Sequence, residues 1–423
     1  MDDHKPASPA VRDLPKIGNT TDTRDYLARA KPYAEKYKDY FIVDVDAHVS
    51  ESAFWSEVTD KIDSDVWKQM AKAQEVRNAA GLLNAQPGTN YQDAFGRIPH
   101  QQSLREPTDK NGAHRQVQLL QRAMDAMGID IMCAFPTPML LLGMHPQTEV
   151  EVQVGAAYNR WFTEDIVTQD PRLVGMLYLP FNDPRAALKT VEKYAANKSV
   201  VGFMVSSTRY KPVYHDDYMP LYAAIQESGK PLGFHAGFHW GDQSMQQCNR
   251  FISMHSISFV YFNLLHLTNW LVNGLPERFP KLKVVWIESG IAWLSFLMQR
   301  LDSEYMMRPS EAPLLRKRPS EYVREMYYTT QPLEHSNLEL TQATMKAMKA
   351  ETQLLYSSDW PHWDFDPPSS VTGLPFLSDQ AKRNILGLNA ARLFNLPIKR
   401  LRPDVPDALA AVLGRMMAKR PAD

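Results

Sequence analysis

Residues 41–48 read FIVDVDAH, an apolar run that closes on ionisable side chains. In an extended strand, side chains two apart share a face, so Asp44, Asp46 and His48 point together to one side. Two carboxylates and an imidazole directed into a core are costly unless something satisfies them. A divalent cation near the C-terminal end of the strand would do so. The alternative reading is that Asp44 and Asp46 cap neighbouring backbone and His48 is an ordinary buried histidine.

Outward from this stretch, seven further short runs rich in Val, Ile, Leu and aromatics follow: 129–137, 173–180, 200–207, 231–237, 282–289, 326–331 and 354–360. Longer segments with helical spacing separate them, at 147–168, 184–196, 216–228, 253–273, 291–306, 336–349 and 378–394, the last with Ser378 as N-cap. Strands alternating with helices eight times predict parallel pairing and an α/β fold, a closed (β/α)8 TIM barrel. Catalytic groups of such barrels gather at the C-terminal ends of the strands. His235, Glu288 and Asp359 each stand at the end of a later run, as Asp46 and His48 do in the first.

The expected organisation is an N-terminal arm over 1–40, a barrel over 41–397 with a long insertion after the first strand at about 55–118, and a C-terminal helical tail over 398–423. A single crossover helix needs far fewer residues than that insertion has. Its irregular part, 84–114, carries His100, Arg105 and His114, and starts from the face where the site should lie. It reads either as a lid or substrate-recognition segment, with Arg105 as a substrate contact, or as a surface or subunit-contact excursion.

The 423 residues hold 47 Lys and Arg against 48 Asp and Glu, so no global field favours nucleic acid or an anionic membrane. A small-molecule partner is the expectation. Two cysteines, Cys133 and Cys248, cannot build a disulfide framework. The N-terminal stretch has no apolar signal core and nothing approaches a membrane span, so the expected location is cytoplasmic.

Softer candidates surround the strand ends. Arg209 and Lys211 follow the fourth strand at the correct end to bind a substrate carboxylate, with a solvated basic turn as the plain alternative. His239, just beyond His235, would contact substrate or sit in a solvated loop. Trp360, His362 and Trp363 could line the site beside the metal and suit a planar substrate. His255 and His266 read as packing or surface residues of the 253–273 helix. For Glu288, the plain alternative is a buried pair with an arginine such as Arg300.

Several longer stretches carry a resemblance: VDVDAHVSE (43–51), AMDAMGIDIMCAFPTP (123–138), AYNRWF (157–162), GLPERFPKLKVVWIESGIAWLSFLMQRLD (274–302), YSSDWPH (356–362) and NILGLNAARLFNL (384–396). Together they resemble the amidohydrolase-related group of aminocarboxymuconate semialdehyde, γ-resorcylate and 5-carboxyvanillate decarboxylases. The resemblance implies that Asp46, His48, His235 and Asp359 bind one divalent metal ion. Asp46 aligns the chain with the members that begin this set with a carboxylate, and such a hard donor set admits Mn²⁺ beside Zn²⁺. Many members carry a catalytic His where this chain has Glu288, which leaves Glu288 as general base, proton shuttle or additional ligand. A homo-oligomer, dimer or tetramer through the arm and insertion, is also implied.

The implied activity is non-oxidative decarboxylation of a small aromatic or unsaturated acid, a carbon–carbon lyase reaction, with Asp359 as proton donor and Glu288 exchanging protons. The alternative is a hydrolase or hydratase in which Asp359 or Glu288 takes a proton from activated water. Both use the same four ligands.

Overall fold

A computed structural model of the chain describes residues 38–75, 107–207, 211–237, 242–362 and 364–396, with scattered positions between 27 and 35. Eight parallel strands pair in the order β1 to β8: Val43–Val49, Ile131–Pro136, Leu173–Tyr178, Val200–Ser206, Leu232–His235, Val284–Ile287, Tyr327–Thr329 and Leu354–Leu355. The sheet closes on itself through backbone bonds from β1 to the chain just beyond β8. Val45 N donates to Tyr356 O (2.9 Å), Asp359 N to Asp46 O (2.7 Å) and His48 N to Trp360 O (2.7 Å). The expected (β/α)8 barrel is therefore the fold.

Seven of the eight predicted runs contain their strand, and β1 runs one residue past the first, to Val49. The last is the shortest, two residues where seven were expected, because Asp359 turns into the left-handed region (φ 60°) and its neighbours bond β1 instead of extending the ladder.

Helices Arg115–Met127, Thr148–Trp161, Pro184–Tyr194, Met219–Ser228, Phe251–Val272, Ala292–Met307 and Leu338–Ala347 form the outer ring. Ser378 caps the next helix, accepting from Ala381 N at 3.1 Å, and Asp183 caps Pro184–Tyr194 the same way. Inside the barrel, the missing side chains of Gly202 and Gly233 make room for Met176, whose Cε would lie 2.6 Å and 2.9 Å from a Cβ added at either. Native packing density tolerates no such overlap. At Gly387 an added Cβ would sit 2.1 Å from the Phe41 carbonyl oxygen, which fixes how closely the closing helix approaches the start of β1.

The early insertion contributes two helices, Trp55–Asp60 and Asp65–Glu75; residues 76–106, with His100 and Arg105, lie outside the described residues, as do most of the arm and the tail from 397. Among the described residues, no helix is long and apolar enough to cross a membrane.

Candidate metal centre

The strand ends converge. Asp46 and His48 leave β1, His235 closes β5, Glu288 follows β6, and Asp359 and His362 follow β8, all buried. Two overlapping sets, Asp46–His48–His235–Glu288 and His48–Glu288–Asp359–His362, each bring one donor atom per residue within 4.8 Å of every other. The four residues expected as ligands divide between the two sets, Asp46, His48 and His235 in the first and His48 with Asp359 in the second, and Glu288 and His362 stand among them.

The imidazoles are oriented from behind. His48 Nδ1 lies 2.8 Å from Pro136 O, and His235 Nδ1 lies 2.9 Å from Ala236 O, so each ring donates its Nδ1 proton to a backbone carbonyl and presents a bare Nε2. Those Nε2 atoms face carboxylate oxygens. His48 Nε2 is 3.3 Å from Asp46 Oδ1 and 3.1 Å from Asp359 Oδ1, and His235 Nε2 is 3.2 Å from Asp46 Oδ1. Lone pair opposes lone pair unless a cation intervenes. Ligand atoms each roughly 2.1 Å from one ion stand roughly 3.0–3.4 Å from one another, so the observed spacings fit a shared ion. Asp46 Oδ2 and Glu288 Oε2 also have no hydrogen-bond partner although buried, a costly arrangement for carboxylate oxygens. The residues present fit a single divalent ion.

Titration behaviour says the same in protons. Burial would lower the pKa of His48, but the Asp359 and Asp46 carboxylates outweigh it and push it up to about 10. Burial acts against ionisation of Asp46, yet His235 and His48 hold it well below the usual carboxylate range. Asp359 is likewise lowered, by His362 and His48 against its burial. Without an ion, a proton supplies the positive charge the pocket demands. Glu288 goes the other way, raised by burial and by the Asp359 and Asp46 charges.

Backbone strain marks the same two carboxylates. Glu288 (φ 59°) and Asp359 (φ 60°) both occupy the left-handed region, which costs a non-glycine residue of order 1–2 kcal/mol. Each is held there by a hydrogen bond at its N–H, to Thr329 Oγ1 at 2.9 Å for Glu288 and to Asp46 O at 2.7 Å for Asp359. Beneath the ligands, Asp44 binds β1 to the end of β8. Its Oδ1 accepts from Ser358 N (2.8 Å) and Asp46 N (3.1 Å), and its Oδ2 from Ser358 Oγ (2.5 Å). Burial pushes Asp44 up to about 7 against those three donors.

Other expectations resolve individually. His362 lies against His48 with ring centroids 4.1 Å apart and places Nδ1 2.7 Å from Asp359 Oδ1, so it stands in the cluster beside the expected ligands. Trp360 is 2% exposed and packs edge-on against Phe365. Lys211 pairs with Asp217 at 2.6 Å and lies over the Tyr218 ring. Arg105, Arg209, His239 and Trp363 lie outside the described residues. Arg300 is not the partner of Glu288: its side chain is 62% exposed and reaches Glu304.

Three further residues support the site, none of them among the expected ligands or substrate contacts. Glu51 is buried and accepts from Thr137 N (2.9 Å) and Met139 N (2.8 Å), bracing the turn after β2. Asn263, on the helix after β5, donates to Ile287 O (3.2 Å) and Ser289 Oγ (3.1 Å) on either side of Glu288. His255, on that same helix, faces Asp364 across 3.8 Å, whose charge also acts on Glu288.

A family model described as amidohydrolase matches residues 43–396, the whole barrel. The chain belongs to the amidohydrolase family. Among curated proteins it is similar to the gamma-resorcylate decarboxylase of Rhizobium sp. (strain MTP-10005), 21% identical over 290 residues that cover 65% of this chain and 86% of that protein. The enzyme of the same name from Polaromonas sp. (strain JS666 / ATCC BAA-500) is 23% identical over 285 residues, with the same coverage. Among solved structures, 5-carboxyvanillate decarboxylase from Sphingomonas paucimobilis superposes with a TM-score of 0.59 at 19% identity, covering 84% of this chain and 99% of that one. A dihydroxybenzoic acid decarboxylase from Polaromonas, solved with bound manganese and the inhibitor 2-nitroresorcinol, gives 0.59 at 17% identity, with 84% and 97% covered. These likenesses bear on the fold of this amidohydrolase.

Proposed function

We propose that this amidohydrolase is a metal-dependent, non-oxidative decarboxylase of a small hydroxylated aromatic acid, with one divalent ion held by Asp46, His48, His235 and Asp359. The observation that carries it is the carboxylate-led donor set at the barrel mouth in a chain whose similar curated proteins bear the name gamma-resorcylate decarboxylase. Two carboxylates and two imidazoles are a harder set than three imidazoles and one carboxylate, which favours Mn²⁺, the ion bound in the Polaromonas structure.

When bound, the ion would supply positive charge to anchor the substrate's carboxylate and an adjacent ring oxygen. The chain's own groups then move the proton. Glu288, kept protonated by burial and the Asp359 and Asp46 charges, passes its proton to Asp359, whose oxygen His362 orients from 2.7 Å. Asp359 delivers that proton to the ring carbon that bears the carboxylate, breaking aromaticity. The bond to the carboxylate cleaves, its electron pair restores the ring, CO2 and the arene leave, and Glu288 regains its proton from solvent before the next turnover. Burial of all these residues keeps bulk water from the reacting carbon.

The test is release of CO2 and arene from a panel of hydroxybenzoates by protein reloaded with Mn²⁺ or Zn²⁺. Release that needs the ion supports the reading. A metal-loaded protein that decarboxylates none of them but hydrolyses lactones or amides would overturn it in favour of the hydrolase.

A further inference from the structure

The end of β7 brings one more side chain to the barrel mouth. Tyr328 faces outward, its hydroxyl donating to Val323 O (3.0 Å) and its ring lying edge-on to Trp293. Thr329 faces the other way, where its Oγ1 accepts from Glu288 N at 2.9 Å. Extended backbone carries on past the strand, since Thr330 N still donates to Leu355 O (2.9 Å). Alternation then returns Gln331 to the side of Thr329, one step nearer the mouth. Both ends of this residue are tied. Ser357 Oγ accepts from its backbone N–H (2.8 Å), beside the Asp44–Ser358 lock, and its side-chain Nε2 donates to the Asp364 carbonyl (3.4 Å). Asp364 lies two residues beyond His362, and its charge reaches Glu288. Gln331 is 1% exposed, yet its amide oxygen Oε1 accepts no hydrogen bond. Turning the amide over would set that oxygen against the Asp364 carbonyl, so the acceptor is the free end. A buried acceptor without a donor is rare enough to call for a reason.

We propose that Gln331 is a specificity-determining residue whose Oε1 accepts a hydrogen bond from a second hydroxyl on the substrate's ring. The inference rests on the decarboxylase reading above and narrows its substrate class. The unsatisfied carboxylate oxygens of the centre call for positive charge, whereas a neutral amide oxygen calls for an O–H or N–H donor. The substrate's carboxylate has no proton to give, and the adjacent ring oxygen is committed to the ion. The donor is therefore a further hydroxyl, and the acid selected is a dihydroxylated one. A monohydroxylated acid would fill the mouth and leave the Gln331 oxygen buried and unpaired, which is how a site built to bond a hydroxyl rejects the analogue lacking it.

The probes are 2-nitrophenol and the nitrobenzenes that carry its ortho hydroxyl and one more, in which a nitro group stands for the carboxylate and no CO2 can be lost. Binding to the Mn²⁺-loaded, full-length protein is read by calorimetry. In the wild type one dihydroxylated isomer should bind roughly 10- to 100-fold more tightly than 2-nitrophenol. Gln331→Met, close in length but without the acceptor, should erase that advantage and leave metal content and the affinity for 2-nitrophenol unchanged. Circular dichroism checks that the variant is folded. A probe with fluorine in place of the second hydroxyl repeats the test on the wild type, where it should bind no better than 2-nitrophenol. An advantage that survives Gln331→Met, a fluoro probe as tight as the hydroxyl one, or no isomer tighter than 2-nitrophenol would each overturn the proposal. Because no probe reacts, the two readings fail separately. A preference that depends on Gln331, in a protein that releases no CO2 from any hydroxybenzoate, supports the contact and overturns the decarboxylase.

Discussion

The two sides of the barrel mouth carry the same kinds of residue and hold them differently. Along the β8/β1 seam the ligands' own backbones are bonded together, Asp359 to Asp46 and Trp360 to His48, with Asp44 and Ser358 locked beneath them. On the β5/β6 side, the His235 ring rests on the Ala236 carbonyl and the Glu288 backbone on one threonine hydroxyl, and the Glu288 Oε2 atom has the His235 Nδ1 at 3.3 Å but accepts no hydrogen bond. Rigidly cross-braced donors suit coordination, which needs a fixed geometry. An under-committed buried carboxyl suits proton movement, which needs a change of partner. The seam is thus assigned chiefly to holding the ion, with His235 completing the set from β5, and Glu288 to supplying the proton that Asp359 hands on.

The largest effect should come from the seam. Asp46→Ala removes the oxygen shared by both imidazoles and should abolish stoichiometric metal, with activity down by about a thousandfold or more. Elemental analysis beside a CO2 assay reads both, and full metal content in this variant would break the division. Glu288→Gln should keep its metal and still lose roughly 10²- to 10⁴-fold in turnover, the range for a lost general acid or base. Loss of metal with it would make Glu288 a ligand and erase the contrast between the two sides.

Much of this was legible in the chain. A strand such as FIVDVDAH announces its inward face by alternation, and the same logic placed His235, Glu288 and Asp359 at strand ends. The unread part consists of residues whose work is done by direction rather than type. Ser358 and Asn263 are ordinary polar residues whose importance lies in what they reach across the barrel, and His255 looked like packing because its partner Asp364 is more than a hundred residues away. The Arg300 pairing failed for the reverse reason: a basic residue on the outward face of its helix is exposed and takes a helical neighbour four residues on. The end of β8 was overextended because nothing local to SSDWP signals that Asp359 leaves the strand with a positive φ.

Ser358→Ala tests the brace itself. The hydroxyl donates to Asp44 Oδ2 and accepts from Trp360 N at 3.0 Å, so its loss strands a buried acceptor and a buried donor. We expect destabilisation of about 1–3 kcal/mol, and metal binding weakened by roughly 10- to 100-fold, as for other residues that orient a ligand from behind. Chelator competition separates the two. A lower midpoint in urea with unchanged metal affinity would show that the seam's bracing is structural and does not tune the site.

The smallest effect on turnover asks whether burial of an acid is by itself a sign of chemistry. Glu151 is as buried as Glu288, yet its oxygens take hydrogen bonds from the Tyr178 hydroxyl (3.0 Å) and Asn182 N (3.2 Å), and it belongs to neither cluster. Burial still pushes it up to about 7 from the ordinary 4.5 of a free glutamate. The folded chain therefore keeps a proton that the unfolded chain gives up. Stability from this group is complete below pH 4.5 and is lost as pH rises through about 7, with a slope approaching about 1.4 kcal/mol per pH unit between them. Glu151→Gln lacks the titration, so wild-type stability measured in urea should fall relative to the variant across that window and run parallel above pH 8, roughly one unit past the folded value. Asp44 and Glu51, also raised to about 7, contribute the same slope to both proteins and cancel in the difference. Turnover should be nearly unchanged, because a fully satisfied carboxyl has no spare oxygen to offer a reaction. A large loss of turnover in Glu151→Gln would mean that the satisfied and the unsatisfied acid are not distinguishable by their partners, and the assignment of proton transfer to Glu288 would lose its physical basis.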